Sequence, residues 1–345
     1  PKENMILNRR KFIEQIGKAG GTISISSLIS SSAFISACEA TKESSDSKLK
    51  ISLQAFSFAP LLMAGKFNLK DFPEMVRNTY QLDGAEYWSI AFTGRENNEA
   101  FLKELKQKSD DNGVNNTIIL VDDLNFLTME WGPSLASLSS EERSRAIDFH
   151  KVWVDTASKI GCHSIRINLN SNDGTAEEVK EVCSESISKL IEYSSQSNIS
   201  IVIENHGGLT ADAKWVTGLI KNIDSEFIGS LPDFGDHNFC LNREKLDLGN
   251  LAKPCEMQYD KYLGVKELLP YAKGISAKSH HFDESGRETQ TDYNKMVELI
   301  KNSNYSGYIG IEYEGAMLAQ FIKESDYLSP HEGVLATKAL LEKLI

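Results

Sequence analysis

Ile201-Val202-Ile203-Glu204-Asn205-His206-Gly207-Gly208 is the stretch that decides the fold. An apolar run stops at a carboxylate, an amide and an imidazole, and two glycines then turn the chain. A buried strand that ends in ionisable groups is what the mouth of an α/β barrel looks like, because the loops after the strands carry the chemistry there. A single Glu at a strand end is more often a solvated loop residue. The weight comes from recurrence: Phe227 to Leu231 ends in Pro232-Asp233-Phe234-Gly235, Gly274 to Lys278 runs toward His280-His281, and Tyr308 to Glu314 holds both Glu312 and Glu314.

Upstream the same alternation continues. Short apolar strands are expected at 51–56, 84–88, 117–121 and 164–168, and amphipathic helices at 69–80, 97–109, 140–160 and 176–195. Downstream, helices are expected at 211–223, 259–271, 293–302 and 334–344. Ser139 reads as the N-cap of the third helix, with Glu142 completing a capping box. Strict alternation of this kind implies a parallel sheet. Eight units favour a closed (β/α)8 TIM barrel over an open sheet, as a single domain over residues 50–345. No Gly-x-Gly-x-x-Gly follows the first strand, which removes the dinucleotide-binding rival.

The bulk composition agrees. At 345 residues, 41% hydrophobic and 25% charged, the chain is long enough for one barrel with extensions. Its formal charge of −12, with Lys and Arg scattered, argues against a nucleic-acid partner. Among the cysteines past position 38 there is no Cys-x-x-Cys pair, so a zinc ribbon or redox motif is not indicated. Cys240 and Cys255 could pair outside the cytoplasm, and four free thiols is the equally open alternative.

The amino terminus reads as an export signal. Asn8-Arg9-Arg10-Lys11-Phe12-Ile13 is a twin-arginine pair before an apolar residue, and Ala19 to Ala37 is uncharged and rich in Ser, Gly and Ala. Ile35-Ser36-Ala37-Cys38 resembles a lipoprotein cleavage box. Residues 1–37 are thus expected to be a signal peptide, Cys38 a lipidation site, and 38–49 a flexible tether. The expected location is the periplasm or cell envelope, with membrane contact only through a lipid anchor. Self-association is compatible with the sequence.

In such a barrel the strand ends bring Glu204 and His206, then Asp233 and His237, then Lys278 and His280, then Glu312 and Glu314 to one rim. Converging carboxylates repel unless a divalent cation neutralises them. Oxygen and imidazole donors together suit one Mn, Mg, Co or Zn ion. Arg166 and Asn168, at the end of the fourth strand, are either struts or contacts for a polyol. Glu314, ahead of Gly315, reads as a solvated loop residue, and His150 and His163 as surface or packing residues.

The chain from about Lys50 to Ile345 resembles the xylose-isomerase-like barrels, often called sugar phosphate isomerases/epimerases. The motifs that carry the resemblance are Lys159-Ile160-Gly161-Cys162-His163-Ser164-Ile165-Arg166, Ile203-Glu204-Asn205-His206-Gly207-Gly208, Leu231-Pro232-Asp233-Phe234-Gly235, Ile275-Ser276-Ala277-Lys278 and Gly310-Ile311-Glu312-Tyr313-Glu314-Gly315. In the family's epimerases a Glu, an Asp, a His and a Glu from strands five to eight hold one divalent metal. Glu204, Asp233 and Glu312 match those positions, whereas Ser276 stands where the family often has its His. If strand seven continues, alternation puts His280 on the same face roughly 7 Å further along, as the expected fourth ligand. Water at an open position is the rival.

The resemblance implies a metal-dependent isomerase or epimerase of a sugar or keto-sugar, working through an enediolate. Glu204 and Glu312 would move the proton and Lys278 would stabilise the oxyanion. His206, His237, Arg166 and Asn168 would meet a small carbohydrate. A lyase or hydrolase of keto-glycosides could use the same enolisation. The third reading is a non-catalytic sugar-binding lipoprotein. Abasic-site endonucleases share the fold but need more metal ligands and a basic face.

Overall fold

The computed structural model describes residues 49–125, 130–171, 173–243, 255–322 and 326–345. The expected signal peptide, Cys38 and nearly all of the expected tether lie outside the described residues. The first strand begins at Leu49, which is buried, so the body starts one residue inside the expected tether.

Eight strands form one parallel sheet. They are β1 (Leu49–Gln54), β2 (Gly84–Trp88), β3 (Asn115–Leu120), β4 (Ser164–Ile167), β5 (Ser200–Glu204), β6 (Ile228–Leu231), β7 (Ile275–Ser279) and β8 (Gly307–Tyr313). Their order in space is β6-β5-β4-β3-β2-β1-β8-β7. The two outer strands meet through isolated parallel bridges, Ser230 with Ala272 and Asp233 with Ser276. Ser276 N donates to Pro232 O at 2.9 Å and Phe234 N to Ser276 O at 3.2 Å. The result is a TIM-barrel-like fold with the strand ends β5 to β8 gathered on one side.

Helices alternate with the strands as the apolar spacing predicts. They are α1 (Glu99–Asp111), α2 (Ser140–Ile160), α3 (Ala176–Ser194), α4 (Ala213–Ile223), α5 (Lys261–Leu268), α6 (Tyr293–Lys301), the short α7 (Gly315–Leu318) and α8 (Pro330–Leu344). Helix 69–80 is not a single α-helix. It divides into a 3₁₀ turn at Leu69–Asp71, an α turn at Phe72–Glu74 and a π turn at Met75–Thr79. Pro73, which has no N–H to donate, sits at the junction of the first two pieces. Ser139 does cap α2, accepting from Glu142 N, but the box does not close. The Glu142 carboxylate turns instead to Ser137 Oγ at 2.7 Å and the Ser134 amide.

Alternation along the strands separates two environments. Leu53, Ile165, Ile203, Ala277 and Ile311 are all 0% exposed, with the helices packed outside them. The inward residues are polar: Ser52, Gln54, Glu86, Arg166, Glu204, Ser276, Lys278 and Glu312, all buried. Gln54 pairs with Glu86, Leu53 with Ile311, and Glu312 with Lys278. A row of hydrogen-bonding and charged groups therefore crosses four adjacent strands inside the barrel, where branched apolar layers are usual.

Candidate active site

β5 delivers Glu204 and then stops, because Gly207 and Gly208 both take positive φ, +85° and +58°. Asn205 ties this end to the next strand: its Nδ2 donates to Asp233 O at 3.1 Å, and its Oδ1 accepts from Asp233 N at 2.8 Å. The latch fixes the spacing of two carboxylates that the sequence only placed on neighbouring strands.

Glu204, Asp233 and Glu312 come together. One carboxylate oxygen from each lies within 4.8 Å of the other two, and all three residues are buried. Asp233 Oδ1 accepts from Gly235 N at 2.7 Å, while its Oδ2 has no hydrogen-bond partner. Glu204 Oε2 has none either, and its Oε1 has a long bond of 3.4 Å from Asn238 Nδ2. Glu312 Oε2 accepts from Ser276 Oγ at 2.6 Å. Buried carboxylate oxygens without donors are costly unless a cation faces them. Three hard oxygen donors at this spacing, two of them with an oxygen that accepts no hydrogen bond, fit a divalent cation.

Two protein cations border the cluster. Lys278 Nζ lies 3.3 Å from Glu312 Oε1, 3.6 Å from Asp233 Oδ2 and 3.6 Å from Glu314 Oε2. Burial alone would lower the ammonium pKa, but Asp233, Glu312 and Glu314 override it and hold it well above its usual value. Arg166 is held between Asp122 Oδ1, at 2.6 Å, and Glu204 Oε2, at 2.9 Å from its Nε. The contact with Glu204 is an ion pair without hydrogen-bond geometry. Burial pushes Glu204 up to about 7, against the pull of Arg166 and Lys278. Burial likewise raises Asp233 well above the usual carboxylate range, with Lys278 opposing.

His280 is not part of the carboxylate cluster, contrary to the expectation of a fourth ligand. β7 ends at Ser279, so strand alternation does not extend to it. Its Nε2 lies 3.0 Å from Glu314 Oε2, and its backbone N–H donates to Glu288 Oε1 at 3.2 Å. Glu314 in turn is no solvated loop residue: it lines the pocket between His280 and Lys278. Lys278 and His280 hold its carboxyl well below its ordinary range, although burial would raise it. His206 lines the pocket, and burial, Arg243 and Lys278 keep its imidazole neutral by lowering its pKa. His237 is half-buried and close enough to feel Arg243 and Glu314. Asn168 is a strut, with Nδ2 donating to Asp122 Oδ1 at 2.8 Å. His150 is a packing residue, its Nδ1 2.7 Å from Ala146 O.

The structure adds residues that sequence reasoning passed over. Asp122, Arg243 and Glu314 line the pocket, and so do Phe56, Leu124, Trp131, Met317, Leu318 and Phe321. Asp122 had one visible signal, an acid immediately after an apolar strand. Trp131 belongs to a small hairpin, Leu124–Asn125 with Glu130–Trp131, too short to show a period.

The sequence matches the model of the family described as xylose isomerase-like TIM barrel over residues 79–337. No curated protein matches it significantly. Solved structures of similar fold include an IOLI protein with a bound zinc atom, 10% identical, TM-score 0.61, covering 86% of this chain and 97% of that one. D-psicose 3-epimerase in the presence of D-fructose is 12% identical, TM-score 0.59, over 85% of this chain and 97% of that one. The apo 3-keto-D-glucoside 4-epimerase from E. coli is 12% identical, TM-score 0.57, over 86% of this chain and 100% of that one. At such identities the likeness is one of fold, and the chemistry has to be argued from the carboxylates themselves.

Proposed function

The chain belongs to the xylose isomerase-like TIM barrel family, and on that premise we propose that it is a metal-dependent isomerase or epimerase of a sugar or keto-sugar, working through an enediolate. The observation that carries the reading is the buried trio Glu204, Asp233 and Glu312, with one oxygen on Glu204 and one on Asp233 that accept no hydrogen bond. A divalent cation held by these three would polarise a carbonyl and acidify the adjacent C–H.

The residues of the chain do the rest. Glu204, held at its Oε2 by Arg166, takes one of the two proton-transfer roles. Glu312 stands across the cluster, oriented by Ser276 Oγ, and takes the complementary role. One carboxylate removes the carbon-bound proton and the other returns a proton to the enediolate. Lys278, 3.3 Å from Glu312, supplies the positive charge for the enediolate oxygen. Arg166 and Asp122 fix the orientation of Glu204, and His206 is a neutral hydrogen-bonding group for a hydroxyl. The reading includes export through residues 1–37 and lipidation of Cys38, checked by lipid labelling of the full chain against Cys38→Ala.

Incubation of the Mn-loaded chain with a panel of keto-sugars in deuterated water tests the reading. Deuterium should enter at the carbon beside the carbonyl, and Glu204→Gln and Glu312→Gln should each slow this by about 10²–10⁴-fold. Sugar binding with no exchange in any case would overturn the enzyme reading in favour of a binding protein. Exchange accompanied by loss of a leaving group would move the reaction to the lyase class.

A further inference from the structure

The pocket above the carboxylates has two unlike halves. One is the charged floor of Glu204, Glu312, Glu314, Lys278, Arg166 and Arg243. The other is an apolar wall built by three separate loops: Phe56 after β1, Leu124 and Trp131 from the hairpin after β3, and Met317, Leu318 and Phe321 after β8. Phe56, Leu124, Trp131 and Phe321 are only half-buried, so their faces remain available to a ligand. Phe56 is braced edge-on by Trp88, with ring centroids 4.9 Å apart at 81°. Trp88 Nε1 donates to Asp122 Oδ2 at 2.8 Å, which ties the wall rigidly to the floor.

A sugar ring over the floor finds donors and acceptors for its hydroxyls. A second sugar against the wall would find one side-chain N–H donor among those six residues, the indole of Trp131. Hydroxyls left without partners oppose binding, whereas a flat apolar group gains from leaving water and stacking on aromatic faces. A phosphate at the wall would meet no cation among those six residues.

We propose that the pocket takes a keto-glycoside with a flat apolar aglycone, seating the sugar over the carboxylates and the aglycone against Phe56, Trp131 and Phe321. This rests on the reading that a keto-sugar occupies the floor, and it adds the substrate class. The test is calorimetric titration of the Mn-loaded full chain with methyl and phenyl 3-keto-β-D-glycosides, in gluco and galacto forms. The phenyl compounds should bind at least about tenfold tighter than the methyl ones. Trp131→Ala and Phe321→Ala should each lower the phenyl affinity more than the methyl affinity and so remove that preference. Equal affinity for methyl and phenyl compounds would overturn the aglycone subsite while the keto-sugar reading stands. Binding of phenol as tight as that of the phenyl glycosides, with no methyl glycoside bound, would overturn both. So would failure of all four glycosides to bind.

Discussion

Glu86 is the least expected residue of the interior. It lies mid-strand on β2, fully buried, where it accepts from Ser52 Oγ at 2.5 Å. Its Oε2 accepts no hydrogen bond of good geometry, and the Gln54 side chain lies beside it. A Cβ on Gly310 would collide with its carboxylate, so the glycine of β8 makes the space it occupies. Burial pushes Glu86 up to about 7 from an ordinary 4.5, with the Ser52 and Gln54 side chains opposing and Glu312 and Glu204 adding to the rise. An acid raised in this way favours the fold fully below about pH 4.5, and the contribution is lost as pH rises through about 7. The difference amounts to roughly 3 kcal/mol. Glu86→Gln should therefore match the wild type near pH 4.5 and exceed it by up to about that much at pH 8, in urea unfolding followed across pH. Parallel stability curves for the two proteins would sink the assignment. Glu204, Asp233 and Glu312 were legible because each follows an apolar run at a strand end. Glu86 was not, since an acid between Ala85 and Tyr87 looks like the solvated face of an ordinary alternating strand. Only strand order reveals that the face is the barrel interior.

The elements were legible wherever periodicity was long. α2, α3 and the strand ends fall within a few residues of their expected bounds, because an amphipathic period over several turns has one reading. Helix 69–80 failed where Pro73 and local turn preferences outweighed the apolar spacing, and the α2 N-cap held at Ser139 while its capping box stayed open, because Ser134 and Ser137 take the Glu142 carboxylate. Cysteine pairing was left open by spacing alone and needed the tertiary fold. Cys240 and Cys255 form a disulfide, while Cys162 and Cys183 are free and buried. The bond closes a loop of sequence separation 15, with Arg243 three residues past its first half-cystine. A loop of that length stabilises by about 3 kcal/mol, mainly through the unfolded state. Dithiothreitol should lower the melting temperature of the wild type, and Cys255→Ser should reproduce the drop and be insensitive to the reductant. An unchanged melting temperature on reduction would show that the bond does not contribute to stability.

At the scale of the whole molecule, charge sets the terms. The chain carries a formal −12, and yet it also buries Glu86, Glu204, Asp233 and Glu312 in one barrel interior. Lys278 and Arg166 offset part of that charge, in geometries that leave Glu204 Oε2 and Asp233 Oδ2 without hydrogen bonds. A bound divalent cation that is absent from the unfolded chain stabilises by mass action, by about 2.7 kcal/mol at a hundredfold excess over its dissociation constant. For a body of this size that corresponds to a rise of several degrees in melting temperature. Asp233→Asn tests the source of the effect, because it keeps the shape and the Oδ1 contact with Gly235 while removing a buried charge. In the metal-free state this variant should be as stable as the wild type or more so, since its amide no longer confronts Glu204 and Glu312. With Mn, Co or Zn added, the wild type should gain stability and the variant should gain little, as read by calorimetry. An equal rise in both would place the cation elsewhere than on the three carboxylates. A variant that loses stability without metal would mean that the Lys278–Asp233 pair, rather than the cation, is what the buried carboxylate serves.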